Sequence, residues 1–469
     1  MAQTPAHIFR EYDIRGEAET ELSSPNVRAI ARAFGTYLKR CGIGKASVGG
    51  DVRLSTERIR TAVISGLLES GVDVVDLGVV TTPILYWSFY RFSLDGGVMI
   101  TGSHNPKEMN GLKLGCNKST LWGEEIQTIR RMTEADDFDV PEHPGTLTRQ
   151  DIIAPYCEML ASKFSFSRPM KVVIDAANGT AALCAPQFFR SLGCEVVPLY
   201  CTPDGTFPNH HPDPQKRVNM TDLARAVVET GADAGFGFDG DADRIGVVDD
   251  KGEIIWGDIL MALFWQEILP RHRGADVLIE VKCSQALEDE VRRLGGTPRY
   301  CKAGHSLIKA EMKRIGALFA GEYSGHMFFA DEYYGFDDSF YAAARLLRIL
   351  DRSGEKLSVL HERIPHYFPT EEIRVDCPDE KKFEVMKVIT WQAVQDSQAH
   401  TVEGARAPIT VDGVRILYKN GWGLIRASNT QPVLSVRCEG RTPYDRDIIA
   451  YDIRRRVTAE GLPYFKWKI

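Results

Sequence analysis

Residues 170–200 read MKVVIDAANGTAALCAPQFFRSLGCEVVPLY, and this stretch decides the fold. A short apolar run, KVVID, ends in the polar turn AANGT. A helical segment around AALCAPQFFRSLG follows and closes on glycine, and CEVVPLY is a second apolar run. Strand, glycine-closed helix and strand in that order make the unit of a parallel α/β sheet. Further on, TDLARAVVETG predicts another helix before the run DAGFGFDGDADRIGVV (233–248).

The layout recurs on either side. ASVGGD (46–51), STERIRTAVISGLLESG (55–71), VDVVDLGVV (72–80) and GGVMITGSHNP (96–106) form one copy. ADVLIEVKCS (275–284), QALEDEVRRLGG (285–296), TPRYCK (297–302) and GALFAGEYSGH (316–326) form another. Each copy ends in an apolar run leading to a polar, glycine-rich loop, the place where parallel sheets carry their ligands. The expectation is three similar α/β domains, over residues 1–150, 151–255 and 256–367. The last hundred residues differ. IPHYFPTEEIRVDCPDE (364–380) carries prolines and polar residues and is expected as a linker. A helix (EKKFEVMKVITWQAV), strand-like DGVRILY, GWGLIRASN and LSVRCEG, and a terminal helix follow. They predict a smaller α+β domain over 368–469.

A chain of 469 residues is too long for one core. Its net charge of −7, with both signs interspersed, argues against a nucleic-acid binder. An anionic substrate has to be held by local Lys and Arg. The opening residues MAQTPAHIFREYDIRG lack the apolar core of a signal peptide, and no run is long enough to span a bilayer. Ten cysteines without a CxxC pair are expected as reduced thiols. A cytoplasmic protein without membrane or nucleic-acid partners is therefore expected.

Four loops carry chemistry. MITGSHNPKEMNGLKL (99–114) sets Ser103 after an apolar strand, beside His104, which can orient the hydroxyl, and near Lys113, which can neutralise phosphate. A lone serine in such a loop is usually a turn residue. The esterase elbow GxSxG is absent, since residues 101–105 read TGSHN, and acyl transfer is disfavoured. GFGFDGDADRIGVVDD (235–250) holds Asp239, Asp241 and Asp243 at alternate positions, so that three carboxylates can converge on one hard cation. An EF-hand fails on spacing, with Arg244 where glycine is needed and Asp250 where glutamate is needed. Arg244 stays near the site whether it pairs with an aspartate or reaches a phosphoryl group. AGEYSGHMFF (320–329) offers Glu322, Ser324 and His326 for sugar hydroxyls and proton transfer. LIRASNTQPVLSVR (424–437) groups Arg426, Ser428, Asn429 and Thr430 as a phosphate cradle. The last two loops are weak signals alone, as are Arg10, Arg15, Lys282 and His305.

Together, FREYDIRG (9–16), TGSHNP (101–106), FDGDADR (238–244), GEYSGH (321–326) and RASNTQP (426–432) resemble the α-D-phosphohexomutase superfamily over essentially the whole chain. The resemblance implies three α/β domains with mixed, mainly parallel sheets and a C-terminal domain similar to the TATA-box-binding-protein fold, around a central cleft. It implies Ser103 as a phosphoserine, and one Mg²⁺ held by Asp239, Asp241, Asp243 and a phosphoserine oxygen. It also implies phosphate exchange between C1 and C6 of a hexose, with glucose 1,6-bisphosphate as activator or intermediate. Hexose phosphates would be the partners, for a monomer or homodimer. Glu322 and Ser324 would contact sugar hydroxyls, and Arg426, Ser428, Asn429 and Thr430 the non-reacting phosphate. Tyr12, Arg15, Lys113, Arg244, Lys282, His305 and His326 match positions lining the family's site. The acid/base role falls among Arg15, Lys113 and His326, with His326 preferred. RASNT with a following proline resembles the mannose/glucose branch, whereas the glucosamine branch reads RxSGTEP. A phosphoglucosamine mutase, a metal-dependent sugar-phosphate phosphatase and a non-catalytic sensor are the competing readings.

Overall fold

Most apolar runs of the repeats become strands buried on both faces, the condition under which parallel sheets are stable, while Glu195–Leu199 and Thr297–Cys301 at sheet edges are only partly buried. In the computed structural model, which describes residues 4–399, 406–428 and 432–467, the chain forms two compact units. One comprises Met1–Gly257 and Ser324–His361, the other Asp258–Tyr323 and Glu362–Ile469.

The first unit holds two mixed sheets. In one, Ile14–Glu17, Met109–Cys116, Gly96–Ile100, Lys45–Gly50, Asp73–Val79 and Leu147–Arg149 lie side by side in that order. Gly96–Ile100, Lys45–Gly50 and Asp73–Val79 run parallel, while Met109–Cys116 returns antiparallel. Helices Ser24–Arg40 and Thr56–Glu69 cover this sheet with Val27, Ile30, Phe34, Ile59, Val63 and Leu67. The other sheet runs Ile254–Ile255, Ile245–Asp249, Ala234–Phe238, Lys171–Asp175, Glu195–Leu199, with the last three parallel. Helix Thr221–Thr230 lays Leu223 and Val227 on it and stops at Gly231, whose φ of +64° suits a residue without Cβ.

Ser324–His361 packs into this same unit. Asp338 caps helix Ser339–Ser353 by accepting from the Phe340 and Tyr341 N–H groups, each at 3.0 Å. Phe340 meets Phe238 at 5.1 Å between ring centres. Tyr156 and Tyr333 each donate a hydroxyl to Asp338 at 2.7 Å. Burial pushes the Asp338 carboxyl up to about 6 against these hydrogen bonds.

In the second unit, Asp276–Glu280 and Thr297–Cys301 pair in parallel. A separate antiparallel sheet carries Val433–Gly440, Gly421–Ala427, Val414–Tyr418 and Arg406–Ile409. Helices Asp379–Gln398 and Pro443–Ala459 bury Met386, Ile389, Ile449 and Ile453 in one core with these strands. This is the α+β arrangement expected for the C-terminal part. The expected linker is not loose: Phe368–Pro369 and Ile373–Asp376 both pair antiparallel with Val433–Gly440. Val375 alternates inward between exposed polar residues, a period-two signal too short to stand out beside the prolines. Among the described residues no helix is long and apolar enough to cross a membrane.

Candidate active site

Strand Gly96–Ile100 delivers the serine loop at its carboxyl end, and Ala234–Phe238 delivers the aspartate loop at its own. The two loops meet. Ser103 Oγ donates to Asp239 Oδ2 at 2.8 Å and lies 3.2 Å from His104 Nδ1. A Cβ built on Gly240 would sit 2.4 Å from the Ser103 carbonyl oxygen, so only glycine allows this approach. Ser103 itself has φ +47°, a left-handed conformation that costs a non-glycine residue on the order of 1–3 kcal/mol.

Asp239, Asp241 and Asp243 are fully buried, with ligand oxygens within 4.8 Å of one another. Like charges at that spacing repel by about 3 kcal/mol per pair at an effective dielectric near 20. Lys113, on the returning strand Met109–Cys116, answers part of this: its Nζ donates to Asp241 Oδ2 at 2.7 Å and to Asp243. Thr82 adds Oγ1 to Asp241 Oδ2 at 2.5 Å. Asp239 Oδ1 accepts from the N–H groups of Asp243 and Arg244, both at 3.2 Å.

Charge sets the protonation of the cluster. Burial and the neighbouring Asp241 and Asp243 push Asp239 well above the usual carboxylate range. Burial acts on Asp241 in the same sense, but Lys113 outweighs it and holds that carboxyl at about 2. Burial disfavours the Lys113 ammonium, yet Asp241 and Asp243 carry it well above its ordinary value. Burial, with the charges of Arg244 and Arg15, keeps His104 well below the ordinary imidazole range.

Three carboxylates face the Lys113 ammonium and, at 4.0 Å from Asp239 and Asp243, the Arg244 guanidinium, so the ionised cluster keeps one formal negative charge in excess. Asp241 Oδ1 and Asp243 Oδ1 are buried without a hydrogen-bond partner among the described residues. Oxygen donors that converge, lack partners and carry excess negative charge fit a divalent metal ion.

Arg244 leaves the aspartate loop toward His326, its Nε donating to His326 Nε2 at 2.9 Å. That nitrogen therefore accepts, and the opposite one, Nδ1, lies 3.0 Å from Asp337 Oδ2 and 3.6 Å from Asp243 Oδ1. The loop bearing Ser324 and His326 is tied down by the Ile245 N–H donating to the Gly325 carbonyl at 3.1 Å. Both side chains are buried. Arg15 sits on strand Ile14–Glu17 in an ion pair with Asp13, and Tyr12 is half-buried just before it.

The remaining expected residues belong to the second unit. Glu322 Oε1 accepts the Gly304 N–H at 2.8 Å, next to His305 at the start of helix His305–Ile315. Lys282 Nζ lies 3.9 Å from Glu280 Oε1, and Glu280 Oε2 accepts the Tyr323 N–H at 3.3 Å. Arg426 pairs with Asp412 at 3.0 Å, and Lys382 Nζ donates to the Ser428 carbonyl at 2.7 Å. Asn429 and Thr430 lie outside the described residues.

Thr82, Asp337 and Arg53 were not legible as site residues. Arg53 follows a strand in GGDVR (49–53), so its place at the carboxyl end of Lys45–Gly50 was the available signal. Thr82, just past the carboxyl end of Asp73–Val79, carried the same signal, and Asp337 had none.

An α/β chain with a serine hydroxyl set on a buried carboxylate cluster that could hold a metal ion, at the ends of strands from two sheets, fits the phosphoryl-transfer class of site. The comparisons narrow it. The phosphoglucomutase/phosphomannomutase family models for alpha/beta/alpha domains I, II and III match residues 6–140, 154–252 and 256–368, and the C-terminal domain model matches 372–454. The phosphomannomutase/phosphoglucomutase of Pseudomonas putida is 42% identical over 438 residues, covering 93% of this chain and 92% of that one. The phosphoglucomutase of Neisseria gonorrhoeae is 39% identical over 100% of both chains. The crystal structure of a phosphoglucomutase/phosphomannomutase family protein from Burkholderia thailandensis matches with a TM-score of 0.91 at 36% identity, covering 100% of each chain. The chain belongs to the phosphoglucomutase/phosphomannomutase family of the α-D-phosphohexomutase superfamily.

Proposed function

We propose that this chain interconverts hexose 1-phosphate and hexose 6-phosphate, of mannose or glucose, through a phosphorylated Ser103 and a Mg²⁺ ion held by Asp239, Asp241 and Asp243. The observation that carries the reading is the Ser103 hydroxyl hydrogen-bonded into a buried cluster of three carboxylates. Mg²⁺, when bound, neutralises charge on the phosphoryl oxygens.

The chain's own residues do the rest. Phosphoserine gives its phosphoryl group to a free sugar hydroxyl: the P–O bond to Ser103 breaks, a P–O bond to the sugar forms, and the hydroxyl proton ends on Ser103 Oγ. Transfer of this kind depends mainly on positioning and charge. Lys113 and Arg244 supply positive charge beside the serine. Arg244 leaves His326 Nε2 when its guanidinium turns to the phosphoryl oxygens, and that nitrogen then takes the hydroxyl proton on its way to Ser103 Oγ. Glu322, Ser324, Lys282 and His305 are assigned to the sugar, with Tyr12 and Arg15. Arg426, Ser428, Asn429 and Thr430 are assigned to the phosphate that does not react. The hexose 1,6-bisphosphate turns over and returns its other phosphate to Ser103.

Ser103→Ala tests this. The variant should lose nearly all mutase turnover and carry no phosphate by intact-mass analysis. Near-parental isomerisation in that variant would remove the mechanism, and net phosphate release by the parent would favour a phosphatase.

A further inference from the structure

The left-handed backbone at Ser103 is held by something, and the hydrogen bonds identify it. The Arg53 side chain is fully buried. Its NH2 donates to the carbonyls of Ser103 and Asn105 at 2.7 and 2.6 Å, and its NH1 to those of Pro106 and Met109 at 2.5 and 2.9 Å. Its Nε donates to Asp51 Oδ2 at 3.2 Å. The Asp51 carboxylate also accepts the Gly102 N–H at 3.1 Å and the Thr56 hydroxyl at 2.7 Å. Two carbonyls of the loop point elsewhere. His104 O accepts from His211 Nε2 at 2.5 Å, and Gly102 O accepts from the Asn105 N–H at 2.9 Å. Every carbonyl from Gly102 to Pro106 therefore has a donor, and three of these five are Arg53's.

We infer that Arg53 is a positioning residue for phosphoryl transfer: its guanidinium gathers the loop carbonyls on one side, so that the Ser103 hydroxyl is presented on the other, toward Asp239.

This rests on the reading of Ser103 as the phosphoryl acceptor. Only a planar fork with five donors serves four diverging carbonyls and a carboxylate at once, and an ammonium carries three donors on a single nitrogen. Gly102 is shaped around the same group, since a Cβ there would lie 2.5 Å from the Arg53 guanidinium carbon and 2.6 Å from Nε. The Phe207 ring lies 5.2 Å from the guanidinium and closes it in. A fixed positive charge bonded to the Ser103 carbonyl also offsets the charge that phosphorylation adds. Arg53 touches neither substrate nor the reacting atoms, so its effect runs through the loop.

The step it governs is the return of phosphate to the serine. The Ser103 Oγ–P bond forms as the P–O bond to the sugar breaks, and the proton leaving Oγ passes to the sugar oxygen. Rapid-quench intact-mass analysis of the full chain, first freed of phosphate on Ser103, then loaded with Mg²⁺ and mixed with glucose 1,6-bisphosphate, reads this step directly. Arg53→Lys and Gly102→Ala attack the same contact from opposite sides, and Gly102→Ala keeps the arginine. Both should phosphorylate at least 30-fold more slowly than the parent, while the bisphosphate concentration giving half-maximal rate changes less than 3-fold. Arg53→Gly should regain at least 5-fold of its lost rate in 50 mM guanidinium chloride, a response that general loss of stability does not give. Parental rates in a folded Arg53→Lys or in Gly102→Ala would overturn the inference alone. A parent chain that takes no phosphate at Ser103 would overturn the Ser103 reading, and this inference with it.

Discussion

Replacing Lys113 by methionine removes the one ammonium that holds Asp241 and Asp243 together. At 2.7 Å and an effective dielectric near 20, its attraction to Asp241 is about 6 kcal/mol before desolvation is charged against it. Breaking a buried ion pair on one side typically costs about 3–5 kcal/mol net, because the orphaned carboxylate stays buried. For a domain of this size, each kcal/mol lowers the midpoint by roughly 2 °C. In EDTA, Lys113→Met should therefore unfold roughly 6–10 °C below the parent. Divalent metal should narrow that gap. An ion saturating the site to about 100 times its dissociation constant contributes about 2.7 kcal/mol. Without the ammonium beside it, the ion meets less repulsion in the variant than in the parent. Scanning calorimetry of both proteins, in EDTA and in excess Mg²⁺, reads the effect without any assay of turnover. The reasoning fails if the variant unfolds with the parent in EDTA, or if Mg²⁺ leaves the gap unchanged.

His326→Ala should lower turnover by about 100-fold or more while half-saturation moves little, as expected for loss of a proton acceptor; an unchanged turnover number in steady-state assays would pass the role to Lys113 or Arg15. Gly240→Ala drives a Cβ to 2.4 Å from the Ser103 carbonyl oxygen. It should cost about 1–3 kcal/mol of stability and most of the activity, and a variant with parental turnover would show that the serine and aspartate loops need not touch. Asp338, raised to about 6, supports the fold most below its unfolded value near 4, and loses that support as pH rises through 6. Urea unfolding of Asp338→Asn should gain on the parent by about 2 kcal/mol between pH 4 and pH 7.5, and parallel pH profiles would contradict the assignment.

The residue sequence by itself determined the repeating strand–helix–strand units, because the period of apolar residues and the glycine stops act over a few neighbours. It also determined the aspartate cluster, since three carboxylates at alternate positions need no distant partner to be noticed. Only the tertiary structure decided how these parts meet. Thr82 reaches Asp241 across 159 positions, and Arg53 reaches Ser103 across 50. Their hydrogen bonds depend on which strands lie side by side and on how the two sheets pack, and no local pattern encodes that. His326 appeared in the sequence as a general candidate for proton transfer. The fold placed Asp337 on one ring nitrogen and Arg244 on the other, and so decided which atom can take a proton. The expected linker became sheet edge for the same reason: a four-residue strand is stabilised by the long strand it pairs with, not by its own sequence.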